Sequence, residues 1–292
     1  MKGGKFAAGM VIKEKYQLGG EITKSGSAVI FEMVDLTEKE VKKIVKIQLL
    51  DNRTNMIGNE VNLLRQLRGA PGFSTFYESF NLVGCNFMVM SNDGMPIELS
   101  LRRQAVSQDS LVKIGLKLCG AINHLHSIGW LHRDVHTGNI LVKVDGNNKL
   151  GITLIDFGLS TPINAPHTSR RWASLHASYH VCKDRPYRPI DDFYSIIFCL
   201  IRCAGEQPFG DIMEGRNKQI QLARKKAFHY HPIRNILNPR NSWLGELYQK
   251  LKAMEIDFES GKVAEIFRQD HPGVTQDAEI AYETRDGIIH IE

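Results

Sequence analysis

Apolar and polar positions divide this chain into a first part with a period of two and a second with a period of three to four. In the first ninety residues the runs YQLGGEI, SAVIFEMV and EVKKIVKIQLL alternate and are rich in β-branched side chains. That is the pattern of half-buried strands. Between Asn59 and Leu67, the residues Val61, Leu63, Leu64 and Leu67 recur at helical spacing, and the later run NFMVM predicts another strand. The sum is a small antiparallel sheet with one helix. The turn-like Ser91-Asn92-Asp93-Gly94 then marks a boundary.

Beyond the boundary, Leu111, Ile114, Leu118, Ile122 and Leu125 step by three or four, with Ser107 as candidate N-cap and Gly129 as the stop. This predicts a long buried helix. Two short apolar runs, ILVKV and KLGITLI, follow, then an apolar helix over Ser195 to Ala204 and further helical segments to about Gln269. The pattern predicts an α+β protein with an N-terminal extension (1–15), a sheet lobe (16–90), a hinge (91–95) and a mainly helical lobe (96–271). Residues 272–292 have too little periodic apolar content to assign and are expected to be a peripheral tail.

The chain has 292 residues, of which 42% are hydrophobic and 24% charged, and these values suit a globule rather than a disordered or membrane-embedded chain. The longest apolar segment, SIIFCLIRCA, is shorter than the roughly 20 residues that span a bilayer. No signal-peptide pattern opens the sequence, because Lys13 and Lys15 interrupt it. A net charge of +5, spread along the chain, gives little reason to expect nucleic acid. Cys85, Cys119, Cys182, Cys199 and Cys203 form no close CxxC pair and read as reduced core residues. A cytoplasmic or nuclear monomer is expected.

The chemistry concentrates in His132-Arg133-Asp134-Val135-His136-Thr137-Gly138-Asn139 and, downstream, Asp156-Phe157-Gly158. Phosphoryl transfer needs a carboxylate to orient a hydroxyl and take its proton, and oxygen ligands to hold magnesium on phosphates. Asp134 suits the first role, and Asn139 with Asp156 the second. Upstream, Lys46 lies in the strand pattern IVKIQ and Glu60 follows on the amphipathic helix. A lysine there can hold the α- and β-phosphates, with the glutamate fixing its position.

These motifs resemble those of protein kinases, from about Tyr16 to Gln269. The stretch Arg170-Arg171-Trp172-Ala173-Ser174 is similar to the T-A-R-Y-A-S segment of the casein kinase 1 group, and Asp191-Asp192-Phe193-Tyr194-Ser195 to its D-D-L-E-S helix start. The group also includes the tau-tubulin and vaccinia-related kinases. The resemblance implies a bilobal kinase fold that binds ATP and Mg2+ and transfers phosphate to serine or threonine of proteins. It implies that ATP lies in the cleft behind the hinge among Ile22, Ser25, Gly26, Ile30, Ile44, Lys46, Met90, Asn92 and Leu141, with Met90 as gatekeeper. It further implies that Asp192 braces the catalytic loop. Acidic or phosphorylated substrates would meet an anion site at Arg171 and Lys218.

Three departures set this chain apart. The glycine-rich loop reads Thr23-Lys24-Ser25-Gly26-Ser27-Ala28-Val29-Ile30, with none of three glycines in register, so the backbone freedom that favours phosphate approach is reduced. Ile44 stands where the family has a small residue above adenine. His136 replaces a lysine, and we expect it to reach the transferring phosphate as a catalytic residue, with the phosphate favouring the protonated ring. The eroded loop and Ile44 support an alternative, a pseudokinase acting as a binding scaffold. His136 supports another, a small-molecule phosphotransferase, because Asp-x-His-x-x-Asn occurs in aminoglycoside kinases.

Overall fold

The structure, a computed structural model, describes residues 6–24, 28–38, 41–49, 56–101, 105–165, 175–210 and 217–292. The chain divides into two compact units, Met1–Asp93 and Gly94–Glu292.

The first unit is a six-stranded antiparallel sheet in the order β1-β2-β3-β4-β6-β5. Its strands are β1 (Val11–Ile12), β2 (Tyr16–Lys24), β3 (Ala28–Asp35), β4 (Lys43–Leu49), β5 (Phe76–Leu82) and β6 (Cys85–Ser91), with α1 (Met56–Gln66) between β4 and β5. Alternation sorts the side chains. Val29, Phe31, Met33, Val45, Ile47, Phe87 and Val89 point to one face and form a core with Tyr16 and Leu18. Rings of Phe80 and Phe87 stack on it at 5.0 Å. The opposite face carries Ile30, Ile44, Lys46, Met88 and Met90, brought side by side by the pairs Ile30↔Lys46, Lys46↔Met88 and Ile44↔Met90. The segment expected as an N-terminal extension is partly structural, since Val11 and Ile12 pair with Gln17 and Tyr16 and Phe6 packs edge-on against Phe87.

The second unit begins with β7 (Met95–Pro96), α2 (Ile97–Ser100), α3 (Gln108–Ser127) and β8 (Trp130–Leu131). Gly94 precedes it at φ 96°, and a Cβ there would overlap the Val142 carbonyl oxygen, so only glycine fits this turn. Strands β9 (Ile140–Val144) and β10 (Leu150–Leu154) form a three-stranded sheet with β7, and β11 (Thr161–Pro162) pairs with β8. Helices α4 (Tyr179–Cys182), α5 (Pro189–Cys203), α6 (Lys218–Tyr230), α7 (Ser242–Ala253) and α8 (Val263–Asp270) follow, then the hairpin β12 (Tyr282–Arg285) and β13 (Ile288–Ile291).

Helix α3 starts where the Ser107 side chain accepts the Ser110 N–H and stops before Gly129 at φ 85°. It packs against α5, of which almost every residue is buried. A fully buried aliphatic or aromatic side chain there contributes roughly 1.5–3 kcal/mol. No helix among the described residues is long and apolar enough to cross a membrane. All five cysteines are buried and free.

The final segment is not peripheral. Ile280 and Ile291 are buried, Lys117 Nζ donates to the Gln276 carbonyl at 3.0 Å, and Ser107 Oγ donates to the Glu292 carbonyl at 2.7 Å. Its turn, Asp286-Gly287, takes positive φ at both residues, as a tight two-residue hairpin requires.

Candidate active site

The candidate residues fall into two groups, one in each unit. In the first, Lys46 Nζ and Glu60 Oε2 are 2.8 Å apart, with the Glu60 side chain 3% and the Lys46 side chain 14% exposed. Strand β4 fixes Lys46 on the polar-apolar face of the sheet, while α1 lays Leu63 and Leu64 into the interior and thereby sets Glu60. Ile30, Ile44 and Met90 share the face of Lys46. Ile22 does not pair with them. A bulge between Glu21 and Thr23 puts Thr23, not Ile22, opposite Ile30, and Ile22 is 50% exposed. The Asn92 amide donates to the Lys42 carbonyl at 3.1 Å. Ser25 and Gly26 lie outside the described residues.

The second group is built around the loop that joins β8 to β9. Buried Asp192, near the start of α5, accepts the amides of His132 (3.0 Å) and Arg133 (2.9 Å), the Tyr187 hydroxyl (2.6 Å) and His126 Nε2 (2.9 Å). Burial alone would raise its pKa, but these donors, His126 foremost, hold the carboxyl below its usual value. Arg133 sits at φ 71°, a left-handed conformation costing of order 1–3 kcal/mol, and the two amide bonds to Asp192 offset it. The loop backbone is therefore held from beneath.

On this base Asp134 presents its carboxylate, 16% exposed, and its amide donates to His132 Nδ1 at 3.2 Å. Burial, with a smaller push from Asp156 and against the pull of His136 and His132, raises its pKa above the ordinary carboxylate value. That direction makes it a better base. Asn139 closes the loop: its Nδ2 donates to the Asp134 carbonyl at 3.0 Å and lies 3.4 Å from Asp134 Oδ2. Its carbonyl accepts the Ile155 amide at 3.0 Å, which ties it to the residue before Asp156. Asp156 is at φ 65°, and its Oδ1 accepts the Gly158 amide at 3.3 Å. Leu141 is buried in β9, opposite Pro96 and Thr153.

Donation through Nδ2 reserves Asn139 Oδ1 as an acceptor. With the Asp156 carboxylate it offers hard oxygen ligands, which suit Mg2+. No group of three His, Cys, Asp or Glu side chains able to hold a metal occurs among the described residues. The pair fits an ion that completes its shell from phosphate and water.

His136 is placed differently from a lysine. Its Nδ1 accepts the Gly138 amide at 3.1 Å, and its Nε2 is 3.8 Å from Asp134 Oδ2. A proton on Nδ1 would displace the Gly138 N–H, so the loop uses this ring as an acceptor. Lys218, at the start of α6, is exposed and lies 3.3 Å from Asp184 Oδ2. Arg171 and the whole Arg170–Ser174 segment lie outside the described residues. Sequence reading missed Tyr187 and His126, whose bonds to Asp192 give no motif, and the acceptor that His132 Nδ1 offers the Asp134 amide.

The chain matches the family described as protein kinase domain over residues 16–256. It is 28% identical over 221 residues to a probable serine/threonine-protein kinase of Dictyostelium discoideum, covering 70% of this chain and 44% of that protein. It is 27% identical over 212 residues to human serine/threonine-protein kinase Nek5, covering 70% of this chain and 27% of that one. A casein kinase I candidate from Caenorhabditis elegans is 20% identical over 270 residues, with 86% of this chain and 74% of that protein covered. The chain thus spans less than half the length of the first two. With Lys46 paired to Glu60, Asp134 and Asn139 on a loop braced by Asp192, and Asp156 following β10 next to the Ile155 amide that bonds Asn139, this chain belongs to the protein kinase domain family.

Proposed function

We propose that this chain is a serine/threonine protein kinase using Mg-ATP. The observation that carries this reading is the Asp134–Asn139 loop: a carboxylate made more basic by burial, beside an amide oriented by that same carboxylate. Bound Mg-ATP would supply the γ-phosphoryl group. Asp134 would orient the acceptor hydroxyl and take its proton as the new O–P bond forms and the bond between the γ-phosphorus and the bridging oxygen breaks, with ADP as the leaving group. Asn139 Oδ1 and Asp156 would hold the metal, and Lys46, fixed by Glu60, the α- and β-phosphates. The names of the relatives support serine and threonine as acceptors.

The casein kinase 1 resemblance supports acidic or phosphorylated substrates through Arg171 and Lys218, with Lys183 and Arg185 as further basic residues of the same stretch of sequence. Lys218 contributes to such a site only by leaving Asp184.

The test is phosphate transfer from Mg-ATP to casein by the wild-type protein beside Asp134→Asn and Asp156→Asn. Both variants should lose at least about 10²-fold in rate and keep the wild-type melting temperature, since neither side chain holds a core together. Transfer by the wild type no greater than by the variants would end the kinase reading and leave the binding scaffold.

A further inference from the structure

A cavity of about 320 Å³ opens in the second unit beside the catalytic loop. His136 and Thr137 form one wall, two and three positions after Asp134. Leu175, Phe198, Ile201 and Phe209 supply apolar surface, and Glu98, Arg202 and Glu206 the charged groups. The charges are engaged. Arg202 Nη2 is 3.8 Å from Glu98 Oε1. Glu206 accepts the amides of Leu237 at 3.0 Å and Asn238 at 2.9 Å and the side-chain amide of Asn241 at 3.0 Å. Burial holds His176, also in the wall, well below the usual histidine value and therefore neutral. The cavity is thus poorly suited to a phosphate or carboxylate, and its volume is that of a small ligand site.

The apolar wall is held rigid from behind. Lys225 Nζ, on α6, sits 3.6 Å from the Phe198 ring centre and 3.5 Å from that of Phe209. Gln221 Nε2 and Arg224 Nη1 donate to the Phe209 carbonyl at 2.7 and 3.0 Å. A side chain entering the cavity therefore meets a preformed surface and does not bear the cost of ordering it.

Resting on the kinase reading, we propose that this cavity receives an apolar side chain of the protein substrate, from a residue close in sequence to the phosphorylated serine or threonine. A polypeptide whose hydroxyl is presented to Asp134 must pass His136, whose Nε2 is 3.8 Å from the Asp134 carboxylate. His136 also lines the cavity, so a neighbouring residue of the same peptide is within reach. The cavity selects leucine or phenylalanine over alanine, aspartate or lysine at that one position. Acidic residues elsewhere in the peptide are compatible with it.

The experiment scans serine peptides in which leucine, phenylalanine, alanine, aspartate or lysine occupies each position from three before to three after the serine. One position should favour leucine or phenylalanine over alanine by about tenfold in kcat/KM, the size expected for a few buried methylenes. Leu175→Glu, which places a charge in the cavity, and Gln207→Trp, which fills its mouth from an exposed residue, should each bring the leucine-to-alanine ratio near one. Gln207→Trp keeps the test available if Leu175→Glu does not fold. Equal rates for leucine and alanine at every position, or an unchanged ratio in Gln207→Trp, overturns the proposal. Fluorescence anisotropy of the same peptides on Asp134→Asn protein separates the two readings. Leucine-selective binding without transfer by the wild type sinks only the kinase reading. Transfer or binding without selectivity sinks only the cavity.

Discussion

The two units hold their functional charges in opposite ways. In the first, Lys46 Nζ and Glu60 Oε2 are 2.8 Å apart, and none of the family's three glycines stands in register in the β2–β3 connection that precedes them. In the second, a single buried carboxylate, Asp192, receives four donors and dictates the backbone of the loop bearing Asp134. An ion pair fixes one side chain. A network fixes a segment of chain, including the left-handed Arg133 it could not otherwise adopt. The unit that carries Lys46 is therefore the adaptable part, and the unit that carries Asp134 the over-determined one.

The comparison is sharpest in stability. Asp192→Asn turns two of four accepting positions into a competing donor group, and breaking a buried charge network of this kind costs about 3–5 kcal/mol. A fall in melting temperature of roughly 10 °C is expected. Glu60→Gln keeps a hydrogen bond to Lys46 and should cost only about 1 kcal/mol. Equal shifts by differential scanning calorimetry would erase the distinction between pair and network.

Lys225 breaks the pattern from within the second unit, because it is a buried amine with aromatic faces and no hydrogen-bond acceptor among the described residues. Burial lowers its pKa from 10.5 to about 7. Between those values the unfolded chain holds a proton that the folded chain does not, so this residue makes stability rise with pH from about 7 toward 10.5. Lys225→Met should raise stability by about 1–3 kcal/mol at pH 7. The gain should shrink as the pH approaches 10. Denaturant titrations at pH 6.5, 8 and 9.5 check it; a gain independent of pH would mean that the amine is not the source.

The smallest expected effect concerns His136. Lysine there installs a permanent charge near Asp134 but has no acceptor for the Gly138 amide, a loss of about 0.5–1.5 kcal/mol. A ring that serves the transferring phosphate predicts that His136→Lys keeps turnover within a few-fold of wild type while His136→Ala lowers it. Equal turnover in all three proteins would leave His136 as a capping residue of the Thr137–Asn139 turn.

Much of this was legible in the sequence because the signals are local. Two-residue and three-to-four-residue periods located the strands and helices, and Ser107 and Gly129 bounded α3. The HRD and DFG triplets marked the loop residues. Other features arise from contacts between distant positions. Nothing near Asp192 in sequence announces His126 or the amides 59 and 60 residues away. The bulge that displaces Ile22 leaves no compositional trace. The final hairpin did have a signal, Asp286-Gly287 between two β-prone runs, but Tyr282 to Arg285 lacks the apolar alternation that would have made it a strand.

That hairpin has a consequence for synthesis. Strand β13 packs on α2, and the Ser107 Oγ that caps α3 donates to a carbonyl 185 positions later. At translation rates of about 5–20 residues per second, the start of α3 emerges roughly ten to forty seconds before its partner. During that interval Ile97, fully buried in the finished protein, lacks part of its cover. The nascent chain carries α2 unfinished until β13 has been made, and the helix bearing Glu98 is among the last parts of the cavity wall to be secured.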